Sequence, residues 1–467
     1  MTLARRTVPG VDFQALRVEL KVSAEFSPDA LAEAESASSS PILPDADNTN
    51  LALVTLDPPG STDLDQAVHI AKRDSGYLVS YAIVDVAAFV KPGGALDAEC
   101  WERGTTLYSP DMRTLLHPEV LSEGAASLLP DQVRPALLWQ ISLDARGEVT
   151  GHTLTRTKVT SIGKLNYPEV QANIDAGKPH ESIVFLEEVG ELRLALADER
   201  HSINLDLPEQ EVEQGPDGHW TIVYREQTPC EKWNAEISFL TGMVAAKMMV
   251  DGGIGILRTL PPAPPEALAD LKKTAVSLGI SWPDGADPSE VMASLDRTSY
   301  TNVAFIEQAA HLLRGAGYKD FIGKPPKEPG HAGIAALYAH VTAPLRRLVD
   351  RYANEVCVSL AAGVDVPDWA KSALPKLPEA MASANGRESQ LEHAVIDTVE
   401  AMLLKDRVGQ SFETVVVGPG KETVTIVLDE PAVRAKAAGG DPNLGDRVKA
   451  VLTKADPTGH RVEFALK

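Results

Sequence analysis

Apolar residues along the chain fall into three regimes of spacing. Between residues 51 and 90 they come in short runs, LALVTL, AVHIAK and YLVSYAIVDVAAFV, which read as buried strands, with PPGST as a tight exposed connection after the first. From about residue 229 the period lengthens to that of helices. Ile237, Leu240, Val244 and Met248 share one face, Leu345, Leu348, Val349, Tyr352 and Val356 form a second stripe, and Leu391, Val395, Val399 and Met402 a third. From about residue 410 short strands return in FETVVVG, TVTIVL, RVKAVLTKAD and HRVEFALK, and their regular spacing suggests a five-stranded OB barrel. Ahead of all this, DFQALRVELK is a short helix or strand, and SPDALAEAESAS is a helix with Ser27 as its N-cap and Pro28 in the first position. The predicted class is α+β, with a leading segment and linker over 1–50, a large domain over 51–408 and a small all-β barrel over 409–467. The leading pair is compatible with a helix-turn-helix-like unit, but a strap packed on the next domain is the stronger reading.

Composition narrows the class. At 467 residues, 44% hydrophobic and 24% charged, the chain reads as a soluble protein with room for a substantial core. It contains no apolar run long enough to cross a membrane, and MTLARRTVPGVDF lacks a signal core, so the expected location is the cytoplasm. Cys100, Cys230 and Cys357 stand far apart without metal-ligand spacing and are expected to be buried small hydrophobes. The net charge of −22 argues against non-specific duplex binding, yet leaves room for a nucleic-acid enzyme whose basic groups line one internal channel.

Candidate chemistry begins in LVTLDPPGSTDLDQAVHI. Asp57 closes the first strand, and Asp63 and Asp65, two apart, point to one side if the backbone is extended. Three like charges this close raise one another's pKa unless a cation lies between them, and all-oxygen ligation suits Mg²⁺ or Mn²⁺. An Asp-rich turn capping its own backbone is the competing reading. A second constellation lies in HAGIAALYAHVTAPLRRLVDRYANEVCVSL, where Thr342 is a good N-cap and Pro344 sits in the first turn. That would leave free N–H groups beside Arg346 and Arg347, an arrangement suited to phosphate. Pairing of these arginines with Asp350 at helical spacing is the alternative.

The string TLDPPGSTDLDQA resembles the signature loop of the ribonuclease II (RNB) family of exoribonucleases. GTTLYSPDMRTLLHPEVLSEGAASLLPDQVRPA and YAHVTAPLRRLVD resemble two further family motifs, and GDRVKAVLTKAD with RVEFAL resembles the end of an S1-type RNA-binding domain. The resemblance covers roughly residues 51–467 and implies a mixed β-sheet core surrounded by helices, followed by an S1 barrel. Family members usually begin with two cold-shock barrels, for which residues 1–50 leave no room. The fourth family aspartate is Gln66 here, whose amide oxygen can still ligate a cation.

By that resemblance Asp57, Asp63, Asp65 and Gln66 would bind metal, in a scheme with two ions about 4 Å apart. Asp65, Asp63 and Arg346 would be catalytic, with Asp65 the most important carboxylate. Tyr108 is similar to the family's base-stacking tyrosine, and Tyr167 and Arg347 are further RNA contacts. Glu236 and Glu392 match glutamates near the active site and the leaving nucleotide. Leu205 stands where the family often has a clamping phenylalanine, so a two-sided aromatic clamp is not expected. The implied activity is processive, Mg²⁺-dependent (Mn²⁺ as substitute) 3′→5′ hydrolysis of single-stranded RNA, or of a single-stranded 3′ tail, to nucleoside 5′-monophosphates by a monomer. The rival is a catalytically weakened RNA-end-binding regulator of the same fold. An unrelated Mg²⁺ phosphohydrolase of small substrates fits the Asp loop but leaves the terminal barrel unexplained.

Overall fold

The structure is a computed structural model that describes residues 6–467 apart from 298, 419, 421 and 429. Residues 1–5, the start of the stretch read as lacking a signal core, lie outside it. Its centre is a closed five-stranded barrel of β1 (Leu53–Asp57), β2 (Gln66–Arg73), β3 (Gly76–Val84), β4 (Val133–Asp144) and β5 (Val149–Asn166). Neighbours are antiparallel until closure, where β1 runs parallel to the end of β5, from Leu53 beside Ser161 to Asp57 beside Asn166. β-Branched and aromatic residues dominate β3, and Leu53, Val54, Val79, Tyr81 and Ile83 are all buried in the main core.

The third strand ends earlier than its apolar pattern suggests. A short helical turn, Val86–Ala88, replaces the expected continuation to Val90. The chain leaves the sheet at Asp85, whose buried carboxylate pairs with Arg156 at 2.7 Å; the apolar residues beyond it pack in the core without strand geometry.

Helices surround the barrel. The 24-residue helix Pro229–Gly252 opens with a capping box between Thr228 and Glu231 and buries Ile237, Leu240 and Val244, with Met248 at the margin. The helix Leu348–Ala362 is buried along most of its length, as its apolar stripe requires. The 28-residue helix Leu377–Leu404 carries Leu391, Val395 and Val399 into a cluster with Trp220 and Ile222, and its last residue, Leu404, enters the core of the closing barrel.

That closing barrel consists of β6 (Ser411–Gly418), β7 (Thr423–Leu428), β8 (Val433–Ala438), β9 (Arg447–Asp456) and β10 (Arg461–Leu466), in the closed order β6-β7-β8-β10-β9. Its phenylalanines, Phe412 and Phe464, meet edge to face at 5.7 Å in the core, so neither offers a stacking face to solvent.

The leading segment forms two helices. Phe13–Glu19 sets Phe13 edge-on against Trp220 at 5.1 Å, whereas Pro28–Ser39, capped by Ser27, buries Ala30 and Ala34 in the main core. Each helix is anchored on a different part of the large domain. Among the described residues no helix is long and apolar enough to cross a membrane. All three cysteines are free and buried.

Candidate active site

β1 delivers Asp57 to the rim of the barrel, and the chain returns over Pro58–Thr62 to enter β2 at Gln66. Between them Leu64 is fully buried, its N–H donated to Ser127 Oγ at 3.0 Å and its carbonyl accepting from Leu128. This anchor fixes the carboxylates on either side of it, Asp63 and Asp65. Asp57, Asp63 and Gln66 line a cleft of about 1070 Å³ whose opposite walls carry Tyr108, Tyr167, Arg346 and Arg347. Asp65, 1% exposed, lies behind Arg346.

The spacing of three carboxylates suggests mutual repulsion relieved by a metal; the structure shows two of them, Asp63 and Asp65, partnered by protein groups. Arg113 donates to Asp63 Oδ1 at 2.7 Å, and the Tyr108 hydroxyl donates to Asp63 Oδ2 at 3.3 Å. Arg346 Nε donates to Asp65 Oδ2 at 2.8 Å and the Leu345 N–H to Asp65 Oδ1 at 2.7 Å. The Tyr81 hydroxyl donates to the amide oxygen of Gln66. Of these four side chains Asp57 alone has no hydrogen-bond partner in the protein, and its Oδ2 is buried. Burial pushes the Asp57 carboxyl up to about 6, against the pull of Arg346. Burial also pushes Asp65 to about 7, opposed first by the Arg346 guanidinium and then by the Leu345 amide. Burial disfavours the charge on Arg346, but Asp65 beside it more than compensates and keeps the guanidinium protonated.

The arginine segment differs from its expected form. The helix starts at Leu348, not after Thr342, and Thr342 Oγ1 instead shares a hydrogen bond of 2.8 Å with Ser238. The amides expected to be free for phosphate are committed. Ala343 N–H donates to Asp350 Oδ1 at 2.8 Å, Leu345 N–H to Asp65, and the Arg346 and Arg347 N–H groups to the Ala343 carbonyl. Two buried aspartates, each needing donors, outbid a helical turn. Arg347 forks onto Asp350 at 2.8 and 2.9 Å, the pairing considered as its alternative, while still lining the cleft.

The Tyr108 wall is held to this segment. Tyr108 lies on the hairpin Leu107–Ser109/Met112–Thr114, facing Arg113, and Thr106 N–H and Thr105 Oγ1 both donate to the Arg346 carbonyl at 2.9 Å. Tyr108 keeps 45% of its surface exposed, enough to present a ring face to the cleft. The Tyr167 hydroxyl accepts from Asn234 at 3.0 Å.

Two expected residues stand elsewhere. Glu236 faces away from the cleft, buried toward Arg193 and Arg200, and burial pushes its carboxyl up to about 7. On the same helix Asn234 and Glu231 line the cleft instead, since at about 100° per residue they are turned about 200° and about 140° around the axis from Glu236. Glu392 is exposed on the long helix; one turn earlier Glu388 lines a smaller cavity of about 410 Å³ that Tyr108, Arg346 and Arg347 share with the cleft. Leu205 packs in a separate apolar cluster. Sequence reasoning also missed Arg113 and Glu123, which pair at 2.8 Å at the cleft wall. Arg113 sits opposite Tyr108 in a tight hairpin, and that register was the available signal.

A hard divalent cation needs uncommitted oxygens. Among the described residues no group of three His, Cys, Asp or Glu side chains forms a ready-made ligand set. The unpartnered Asp57 Oδ2, with Asp63 as its neighbour across the cleft floor, nevertheless fits such an ion, because a buried carboxylate oxygen without a donor is costly.

Comparison with known proteins places these features in a family. The RNB domain matches residues 46–360, and the RNase II-type exonuclease C-terminal S1 domain matches residues 410–467. The exosome complex exonuclease RRP44 of Homo sapiens is 28% identical over 366 residues, covering 74% of this chain and 38% of its own. Ribonuclease R of Escherichia coli is 26% identical over 467 residues, covering 90% of this chain and 57% of its own. The chain therefore spans well under two thirds of either relative. The structure of Mycoplasma genitalium RNase R in complex with ribose-methylated single-stranded RNA superposes with a TM-score of 0.86 at 20% identity, over 97% of this chain and 77% of that one. With an aspartate-rimmed barrel, a C-terminal S1-type barrel and an RNB match over more than half its length, the chain belongs to the RNB family.

Proposed function

We propose that this chain is a metal-dependent 3′→5′ exoribonuclease that hydrolyses single-stranded RNA ends, or single-stranded 3′ tails, processively to nucleoside 5′-monophosphates, acting as a monomer. The observation that carries this reading is the Asp65–Arg346 pair, Arg346 on the cleft wall and Asp65 behind it, with Tyr108 on one wall and the unpartnered Asp57 carboxylate on the floor. Arg346 gives only its Nε to Asp65, which leaves the Nη edge of its fork for a phosphate and offsets negative charge developing there. Tyr108 presents a ring face on which any base can stack, which suits sequence-independent decay. Asp57 and Asp63 would hold Mg²⁺, with Mn²⁺ as substitute; a bound divalent ion supplies activation of water and charge neutralisation at the phosphate. Asp65 orients Arg346, and Tyr167 and Arg347 line the path of the chain. The related proteins are named as exonucleases or as Ribonuclease R, and one was solved with single-stranded RNA.

One observation favours a second reading, an RNA-end-binding regulator with weakened turnover. The Gln66 amide oxygen already accepts the Tyr81 hydroxyl and is a poor substitute for a charged ligand. A 5′-labelled RNA of about 30 nucleotides, enough to pass several OB-fold footprints, incubated with Mg²⁺, Mn²⁺ or EDTA, separates the two. Metal-dependent shortening to a labelled stub, lost in Asp65→Asn, is the result expected for the nuclease. Intact RNA in both metals, with retardation on a gel, would establish the binding protein instead.

A further inference from the structure

The cleft floor contains a feature that the Asp loop by itself does not imply, a guanidinium lodged among the carboxylates. Arg113 donates Nη1 to Asp63 Oδ1 at 2.7 Å and Nη2 to Thr62 Oγ1 at 2.8 Å, and Nη2 also lies 2.8 Å from Glu123 Oε1. Thr62 in turn donates to Glu123 Oε2 at 2.7 Å, which closes the network. Asp63 and Glu123 expose only 7% and 18% of their side chains, so this pairing is largely withdrawn from water. Asp65 is saturated by Arg346 and Leu345, and the Gln66 oxygen by Tyr81. Asp57 is the one carboxylate of the loop that no protein group engages, and its Oδ2 is buried.

The charge balance leads to the same place. Fully ionised, the acids of the loop and Glu123 carry four negative charges, and the guanidiniums paired with them, Arg113 and Arg346, return two positive ones; elsewhere on the cleft wall Asp111, Glu231 and Arg347 are paired with Arg17, Arg225 and Asp350. Two negative charges remain, the amount that a single divalent cation neutralises. A second divalent ion would have to displace a forked guanidinium held by three acceptors, and would leave that partly buried positive charge beside it.

We propose that this site takes one divalent cation, with Asp57 as its principal ligand, and that Arg113 supplies the fixed positive charge at Asp63 that a second ion would otherwise bring. The inference rests on the metal-dependent reading above and specifies the ion count and the residue responsible. Gln66 belongs to the same arrangement. A fourth carboxylate at that position would restore a charge that Arg113 and one ion could not balance.

Mn²⁺ binding to the full chain without RNA, followed by isothermal titration calorimetry and by the EPR signal of free Mn²⁺, tests this. One Mn²⁺ per chain is expected for wild type and for Arg113→Lys, which keeps the charge and serves as a check that the hairpin tolerates substitution. Two are expected for the double variant Gln66→Asp/Arg113→Met. Two ions in the wild type would overturn the proposal while leaving the nuclease reading intact. One ion in a folded double variant, verified by its circular dichroism and a cooperative melt, would show that Arg113 does not set the count and would also overturn it. No bound ion in the wild type, together with RNA left intact in Mn²⁺, would remove both the proposal and the metal-dependent reading.

Discussion

Arg17 grips Asp111 through two hydrogen bonds, 2.6 and 2.8 Å long, and adds a third to Ser109 at 3.0 Å. These partners sit in the turn of the hairpin that carries Tyr108 and Arg113, so a residue of the leading segment holds one wall of the cleft in place. Arg17→Ala leaves Asp111 unpaired and frees the turn. The expected cost is about 2 kcal/mol in urea unfolding, since Asp111 is partly exposed and can rehydrate. RNA-end affinity should fall with it, and an unchanged urea midpoint would show that the contact is incidental.

Tyr108 separates stacking from acid-base roles. Its hydroxyl donates to Asp63, but its exposed ring face is what a base would use. Tyr108→Phe is expected to retain single-stranded RNA binding, whereas Tyr108→Ala should weaken it by about 1–3 kcal/mol, roughly 5- to 150-fold. Fluorescence anisotropy with a labelled oligonucleotide measures both. Equal losses in the two variants would place the contribution in the hydroxyl.

Gly242 marks a close approach of helix Pro229–Gly252 to the cleft. A Cβ there would lie 2.3 Å from Tyr338 Cε2 and 2.6 Å from the Ala339 carbonyl oxygen. Alanine normally stabilises a helix interior by up to about 1 kcal/mol relative to glycine. Here the clash reverses the sign, and Gly242→Ala should destabilise by about 1–3 kcal/mol while displacing Tyr338 from the cleft wall. Thermal melts with parallel RNA binding check both effects.

Glu400 supplies a pH dependence remote from the cleft. It is 2% exposed between the long helix and the closing barrel, and accepts from Gln210 at 2.8 Å and the Arg434 N–H at 2.9 Å. Burial raises its carboxyl from 4.5 to about 8 despite these bonds, with Asp397 adding to the rise. The folded state therefore holds a proton that the unfolded state has released. This contribution to stability is full below pH 4.5 and is lost as pH rises to about 8, by up to about 1.4 kcal/mol per pH unit. Glu400→Gln, which keeps the acceptor and removes the titration, should flatten that decline. Urea midpoints at pH 6 and pH 9 compare them, and parallel declines in wild type and variant would count against it.

What could be read in the chain was whatever depends on near neighbours. Strand runs and helical stripes are set by side-chain period, so β1 to β3, the helix Pro229–Gly252 and the buried face of Leu348–Ala362 follow from residues a few positions apart. The placing of Asp57, Asp63 and Asp65 around one connection is equally local, as is the capping of the second leading helix by Ser27. Packing decided how the buried charges were satisfied. Arg113 reaches Asp63 across 50 residues, Arg17 reaches Asp111 across 94 and Arg346 reaches Asp65 across 281, and none of these pairings has a period or spacing that announces it. The helix after Thr342 starts late because Asp65 and Asp350 claim the amides that would have opened it, and Glu236 turns from the cleft because the helix axis directs it toward Arg193 and Arg200. Local sequence determines which elements form and which acids share a loop. The cost of leaving a buried charge without a partner, met only when distant segments pack together, decides which arginine each acid receives and which oxygen remains open.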